Sequence, residues 1–219
     1  MRRTLSESDS QALLATYGVR FAPEELVGDP DSAVVAAEGF GYPVAAKLCG
    51  ENIAHKTERG LVRLSLRSAH EVRAAVGELL SAALPDDRAT GVLVAPMIRG
   101  DRELIAGIAT DPQFGPTVML GVGGVMAEAV ADVSVRLAPI TQLDAAEMIE
   151  ELRSQALIAA FRGEPPVDRD ALIEVLLSLS DAATATEGAT VVSADINPLI
   201  ICGGVPVPVD ALVEQQERR

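Results

Sequence analysis

The sequence predicts an α+β fold, organised as one large domain or two tightly joined lobes. Stretches with period-two alternation and stretches with helical spacing follow one another without the regular alternation that builds a doubly wound parallel sheet. Four strand-like segments also crowd between residues 91 and 139. The 219 residues are enough for a real hydrophobic core without a disulfide or metal staple.

Along the chain, residues 6 to 17 place Ala12, Leu13 and Tyr17 at helical spacing and end before Gly18. Asp29 or Asp31 can cap a second, Ala-rich helix that stops near Gly41. PVAAKL, residues 43 to 48, reads as a buried strand, and LVRLSL, 61 to 66, alternates as a half-buried strand does; the polar loop GENIAHKTERG joins them. Ser68 with Glu71 forms a capping-box pattern for a helix to about Ala83, closed by Pro85-Asp86-Asp87. The four strands follow: 91 to 98, 103 to 110, 117 to 122 and 133 to 139. Thr141 and Asp144 open a helical region, broken at Gly163 to Pro166 and resumed by an apolar helix near 169 to 183. Two strands about Gly203-Gly204 end the chain.

Composition excludes several function classes. A net charge of -14 opposes a phosphate polymer, and 3% aromatic residues with no Trp leave no stacking platform, so nucleic acid is excluded as a partner. No apolar run is long enough for a membrane span, and MRRTLSESDS lacks the apolar stretch of a signal peptide, so the expectation is a cytoplasmic protein with no membrane association. Cys49 and Cys202 lie far apart, outside any C-x-x-C spacing, and offer neither a zinc site nor a disulfide framework.

The closing segment VVSADINPLIICGGVPVPVDAL carries a candidate metal site. Gly-Gly suits a two-residue hairpin turn because both positions can take positive φ. Counting back from Gly203 and Gly204 sets Cys202 against Val205 and Asn197 against Asp210, at a non-hydrogen-bonded position where facing Cα atoms approach to about 4.5 Å. Strand alternation puts Asp195 on the same face. Three hard oxygen donors with room for phosphate suit Mg²⁺. The same letters also fit a strand end with Asp-x-Asn-Pro turn chemistry and a solvated Asp210, and Pro198, Pro206 and Pro208 invite a bulge that would slip the register.

Two further segments could meet a nucleotide. TVMLGVGGVMAEAV places Gly121, Gly123 and Gly124 after an apolar strand, where backbone amides can approach a phosphate; a plain tight turn fits equally. Met126 breaks the G-x-G-x-x-G pattern and no G-K-[ST] occurs, which excludes a Rossmann fingerprint and a Walker A loop. Lys47 sits in an apolar strand and asks for a counter-charge: nucleotide phosphate, Glu103, or water reached by snorkelling. Of the two histidines, His70 lies in a charged helix, while His55 sits among Lys56, Thr57, Glu58 and Arg59. A neutral imidazole can accept a phosphoryl group, and an ordinary loop histidine fits as well.

These segments together resemble the β subunit of ADP-forming acetyl-CoA synthetase, within the ATP-grasp superfamily that also holds the succinyl-CoA synthetase β subunit. GYPVAAKL resembles the family's GYPVxLK strand, IAHKTERGLV its IxHKxxxGGV loop, and ADINPLII its xDINPLI segment. RELIAGIATDPQFGPTVMLGVGGVMAEAVADVSVRLAPI resembles the pattern xELIxGxxxDPxFGPxxxxGxGGxxxExxxDxxxRxxPx. The resemblance spans nearly the whole chain. It implies an ATP-grasp fold, with two α/β lobes of mixed and antiparallel sheets enclosing a nucleotide site, a small lobe of about 22 to 95 and a large lobe of 1 to 21 plus 96 to 219. It implies ATP or ADP with Mg²⁺ as cofactors, and a CoA-binding α subunit, in an α2β2 assembly, that handles CoA and the small-molecule acid. By the same resemblance Lys47 contacts nucleotide phosphates, Glu103, Gly123 and Gly124 line the nucleotide pocket, and Met97 and Ile98 of the 95 to 98 strand hold adenine. Asn197 and Asp210 hold Mg²⁺ with Asp195 beside them, and His55 carries the phosphoryl group between two active sites.

The sequence departs from the family pattern at Gly60-Leu61-Val62, Cys49-Gly50 and Ala95-Pro96-Met97, and the last of these bears on base specificity. Two other functions share the nucleotide fold: a non-catalytic nucleotide-sensing subunit and an ATP-dependent carboxylate-amine ligase. The ligase has no need of a phosphoryl-carrying histidine.

Overall fold

The computed structural model describes residues 2–53, 56–124 and 131–217. The chain separates into two compact units, one of Thr4–Asp9 with Ala22–Met97, the other of Met1–Arg3, Ser10–Phe21 and Ile98–Arg219. In chain order the first elements are β1 (Arg2–Thr4), α1 (Glu7–Thr16), β2 (Glu25–Val27), α2 (Pro30–Phe40), β3 (Val44–Gly50), β4 (Val62–Leu66), α3 (Ala69–Ser81) and β5 (Ala89–Pro96). There follow β6 (Arg102–Asp111), β7 (Gly115–Val122), β8 (Val133–Leu137), α4 (Gln142–Glu151), α5 (Arg169–Thr184), β9 (Thr190–Cys202), β10 (Val205–Pro208) and β11 (Ala211–Gln216).

The smaller unit is a sheet ordered β2-β5-β3-β4 with antiparallel pairings. Its helices are set by local chemistry. Asp29 caps α2 by accepting from the Asp31 and Ser32 amides, both at 2.9 Å, and Gly41 ends it at φ 82°. At α3 only half of the expected capping box forms. Ser68 accepts from the Glu71 amide, but the Glu71 carboxylate turns to the Arg67 amide at 2.7 Å. Val44, Ala46 and Leu48 of β3 join a buried cluster with Val34 and Ala37 of α2 and Val72, Val76 and Leu79 of α3. Period-two alternation therefore sends Lys47 to the face of the sheet away from the helices.

The larger unit holds a seven-stranded sheet, β1-β11-β9-β6-β7-β8, with β10 also paired to β9. One face is apolar: Leu104, Ala106 and Ile108 of β6, Val118 and Leu120 of β7, and Ala194, Ile196, Leu199 and Ile201 of β9 are all buried. Helix α5 packs on β6, β7 and β9, and α4 packs on α5 and β8. Thr141 and Asp144 complete a reciprocal capping box at α4, and Asp168 caps α5.

Further details differ from the sequence expectation. The short strands β1 and β2, three residues each, give no readable period. Residues 4 to 9, expected with the large lobe, cluster with the smaller unit, where the Glu7 carboxylate is held by two lysines. The first turn of α1 thus belongs to one unit and its remainder to the other.

Candidate functional site

The open face of the larger sheet gathers the polar residues. On β9, Asp195 and Asn197 are exposed between buried Ala194, Ile196 and Leu199. Gly203 and Gly204 turn the chain at φ 56° and 91°, as a two-residue hairpin of mirror-image type requires. Cys202 pairs with Val205 and Leu199 with Pro208; past β10, Ile196 pairs with Ala211 and Asp195 with Leu212. The register is continuous across this stretch, so Asn197 stands opposite Asp210. The Val209 amide donates to the Pro198 carbonyl at 3.3 Å, which makes the next pair, Asn197 with Asp210, a non-hydrogen-bonded one with side chains close together. Pro206 and Pro208 belong to β10, which pairs only with β9, so their missing N–H groups cost that ladder nothing.

The hairpin register does not slip at the prolines; a bulge lies instead on the other side of β9. Leu104 pairs with Leu199 and Ala106 with Ile196, so Asn197 and Pro198 together oppose Ile105 alone. An extra residue of this kind turns side chains that strict alternation would hide, and bulges gather beside functional sites.

The atoms around Asp195 crowd its carboxyl enough to push its pKa up, although part of the residue faces solvent; its side-chain hydrogen bond with Asn197 acts in the opposite direction. Among the described residues no three His, Cys, Asp or Glu side chains group as a metal site. A cation here would take two carboxylates and an amide, and draw its other oxygens from nucleotide and water. That donor set fits Mg²⁺, and a cation beside Asp195 would offset the cost of ionising it. A carboxylate with a raised pKa costs stability when ionised, and the cost disappears as pH falls through that raised value. Asp195→Asn is therefore expected to raise the melting temperature at pH 7, with the gain gone below the ordinary aspartate value of 3.8. Melts recorded against pH, alongside a magnesium titration that weakens in the variant, check this expectation.

Glu103 and the glycine turn meet beside this face. The β6–β7 register, with Leu104 opposite Val122, brings Glu103 against Gly123, whose amide donates to the Glu103 carbonyl at 2.9 Å. A Cβ on Gly123 would sit 2.8 Å from the Leu104 carbonyl oxygen, so only glycine allows this approach. Gly124, at φ 81°, lies beside the Glu103 carboxylate: a Cβ there would be 3.4 Å from Oε2. The structure thus gathers Glu103, Gly123, Gly124, Asp195, Asn197 and Asp210 within one unit.

Lys47 belongs to the smaller unit and finds a partner that its strand does not reveal. Its Nζ lies 2.6 Å from Glu7 Oε1, and Lys56 Nζ meets Glu7 Oε2. Glu103 is not the partner found. Burial alone would push the Glu7 carboxyl up; the charges and hydrogen bonds of Lys47 and then Lys56 outweigh it and hold the pKa below the ordinary glutamate value. No local signal marks Glu7, because a glutamate in the first turn of a helix reads simply as a dipole residue.

Lys56 is engaged by Glu7, and Arg59 clasps Asp87 with bonds of 2.7 and 2.8 Å. His55 itself lies outside the described residues. Met97 and Ile98 are half-buried. The Met97 amide is committed to the Pro43 carbonyl at 3.1 Å.

Comparisons with known proteins bear on this arrangement. A family model described as an ATP-grasp domain matches residues 1–214. The beta subunit of acetate–CoA ligase (ADP-forming) II from Pyrococcus furiosus is 36% identical over 217 residues, 97% of this chain and 92% of its own length. A solved structure of acetyl-coenzyme A synthetase 1 from Ca. Korarchaeum cryptofilum, in complex with coenzyme A and Ca-AMPCP, superposes with a TM-score of 0.89 at 34% identity, covering 98% of this chain and 94% of that one. The same enzyme with coenzyme A and Mg-AMPPCP, its phosphohistidine segment pointing towards the nucleotide binding site, gives a TM-score of 0.82 at 33% identity, covering 98% and 93%.

Proposed function

This chain belongs to the ATP-grasp family of ADP-forming acetate–CoA ligase beta subunits, and on that premise we propose that it is the nucleotide-handling subunit of an acyl-CoA ligase. In this reading a separate CoA-binding subunit, in an α2β2 assembly, carries the acyl chemistry. This chain passes a phosphoryl group between a phosphohistidine and ADP. The observation that carries the reading is the pairing of Asn197 with Asp210, next to Asp195, on the sheet face that also bears Glu103 and the Gly123-Gly124 turn.

The residues divide the work by chemistry. Asp195, Asn197 and Asp210 would hold Mg²⁺, which supplies charge neutralisation on the nucleotide phosphates. Lys47 offers a point charge to phosphate oxygens. The Gly123-Gly124 turn is held against Glu103, whose carboxylate beside Gly124 would limit how the nucleotide lies. His55 would take the phosphoryl group from the partner subunit and give it to ADP: a terminal ADP oxygen forms the new P–O bond, the P–N bond breaks, and the imidazole nitrogen keeps the electron pair. The step is reversible, so the complex runs between acyl-CoA with ADP and phosphate and acid with CoA and ATP.

The experiment is reconstitution. The purified chain is expected to bind Mg-ADP yet to make acyl-CoA only after a CoA-binding subunit is added. His55→Ala is expected to abolish turnover in that mixture, with ADP affinity unchanged. Full turnover in the variant would remove His55 from the relay. Activity of the isolated chain with an amine acceptor would favour a carboxylate-amine ligase.

A further inference from the structure

We propose that Arg102 is a positioning residue for the metal-bearing hairpin of β9 and β10. The inference rests on the reading of Asp195, Asn197 and Asp210 as Mg²⁺ ligands given above. Arg102 opens β6 beside Glu103, and strand alternation turns the two side chains to opposite faces of the sheet. Arg102 is 2% exposed, and its guanidinium donates to the carbonyls of Leu157 at 3.1 Å, Ala159 at 3.0 Å and Pro165 at 2.6 Å. The segment so held closes on itself: Phe161 and Glu164 exchange amide-to-carbonyl bonds of 3.1 and 2.9 Å, and the Val167 amide donates to the Ile158 carbonyl at 2.8 Å. Its far end meets the hairpin turn. The Asp168 amide donates to the Gly204 carbonyl at 2.8 Å, and a Cβ on Gly204 would lie 2.7 Å from the Pro166 carbonyl oxygen.

Two features favour a role at the metal site over one in packing alone. Burying a guanidinium is costly, and an apolar side chain of similar volume would fill the same space without that penalty. The three partners are backbone carbonyls, so what the arginine adds is fixed backbone: its planar fork ties Leu157 to Pro165 across the segment. The second feature is what the segment supports. β10 is four residues long and pairs only with β9, a weak ladder by itself. Its tip is held at Gly204 by the segment and at Ile201 by Gly100, where a Cβ would lie 2.3 Å from the Ile201 carbonyl oxygen. Asp210 stands between two ladders: Ala211 with Ile196 fixes one side, and Pro208 with Leu199 fixes the side toward the turn. A tip that shifts therefore shifts Asp210 against Asn197, and metal–oxygen distances tolerate only a few tenths of an ångström.

The test titrates the full chain with Mn²⁺ in the presence of ADP, followed by electron paramagnetic resonance, and with metal-free ADP by calorimetry, below the melting temperature of each variant. Gly204→Ala keeps Arg102 but sets a Cβ against the Pro166 carbonyl, which pushes the turn off the segment. Arg102→Met and Gly204→Ala are each expected to weaken Mn²⁺ about tenfold with metal-free ADP affinity unchanged, and Arg102→Lys to recover part of the loss. Val118→Ala removes buried methyl groups where β7 faces Ile108, well along β6 from Arg102, and is expected to lower stability yet bind Mn²⁺ as wild type does. An equal loss of Mn²⁺ in Val118→Ala would reduce the effect to general destabilisation and overturn the inference. So would a folded Arg102→Met protein with Mn²⁺ affinity within about twofold of wild type. If Arg102→Met does not fold, Gly204→Ala decides: wild-type Mn²⁺ affinity there overturns the positioning role. Loss of Mn²⁺ in Asp210→Ala with none in Arg102→Met and Gly204→Ala would sink this inference and leave the metal reading standing. Wild-type Mn²⁺ affinity in Asp210→Ala would overturn both.

Discussion

Replacing Asp210 with alanine is expected to lower magnesium-dependent acyl-CoA synthesis, measured with the CoA-binding subunit present, by about two orders of magnitude or more. The expectation follows from the ladder. Asp210 opposes Asn197 at a position where side chains approach closely, and Asp195 shares their face, so removing Asp210 takes one of only two carboxylates from the set. The site has no third carboxylate in reserve among the described residues. Raising the magnesium concentration should recover part of the lost activity, because the variant still holds Asp195 and Asn197. The fold should survive: the buried face of β9 and β11, with Ile196, Leu199, Ala211 and Val213, is untouched. An Asp210→Ala protein with wild-type activity and magnesium dependence would place the cation elsewhere.

Lys47→Met is expected to weaken Mg-ADP binding by about a hundredfold and, at neutral pH, to lower stability as well. The two effects have one cause. Glu7 is buried, and burial is the strongest single influence on its carboxyl, raising its pKa; the two lysines together reverse it. With Lys47 gone the reversal shrinks. A carboxylate with a lowered pKa contributes stability that is present above its unfolded-state value and lost as pH falls through the folded-state value. For wild type this places the acid loss below the ordinary glutamate value of 4.5. The variant should therefore be less stable at pH 7 and show a shallower decline on acidification, in melts recorded against pH. Unchanged melts together with lost nucleotide binding would separate the role of Lys47 in binding from its pairing with Glu7.

The hairpin was legible because two adjacent glycines fix a turn, and a turn fixes register: counting outward reaches Asn197 and Asp210 without any knowledge of the rest of the fold. The register slip that the prolines invited in the hairpin does not occur, and the bulge on the β6 side was not legible because it depends on how β9 aligns with a strand far away in sequence. Helix starts at Asp29 and Thr141 follow from side chains that reach amides within three residues. Glu7 was not legible, because its contacts lie 40 and 49 residues away and nothing local distinguishes it. The approach of Gly123 to Leu104 was hidden likewise, since it depends on how two strands align rather than on either strand alone. Glu71 shows the limit of local patterns: a capping-box spacing is present, yet its carboxylate takes the neighbouring amide of Arg67.

A crystal structure of the chain with Mn²⁺ in place of Mg²⁺ and ADP bound tests the assignment most directly, because the anomalous signal locates the metal without reference to any assumed ligand. The account predicts a peak within coordination distance of Asn197 and Asp210, with Asp195 bound directly or through water. A peak away from all three residues, with the nucleotide bound, would contradict it.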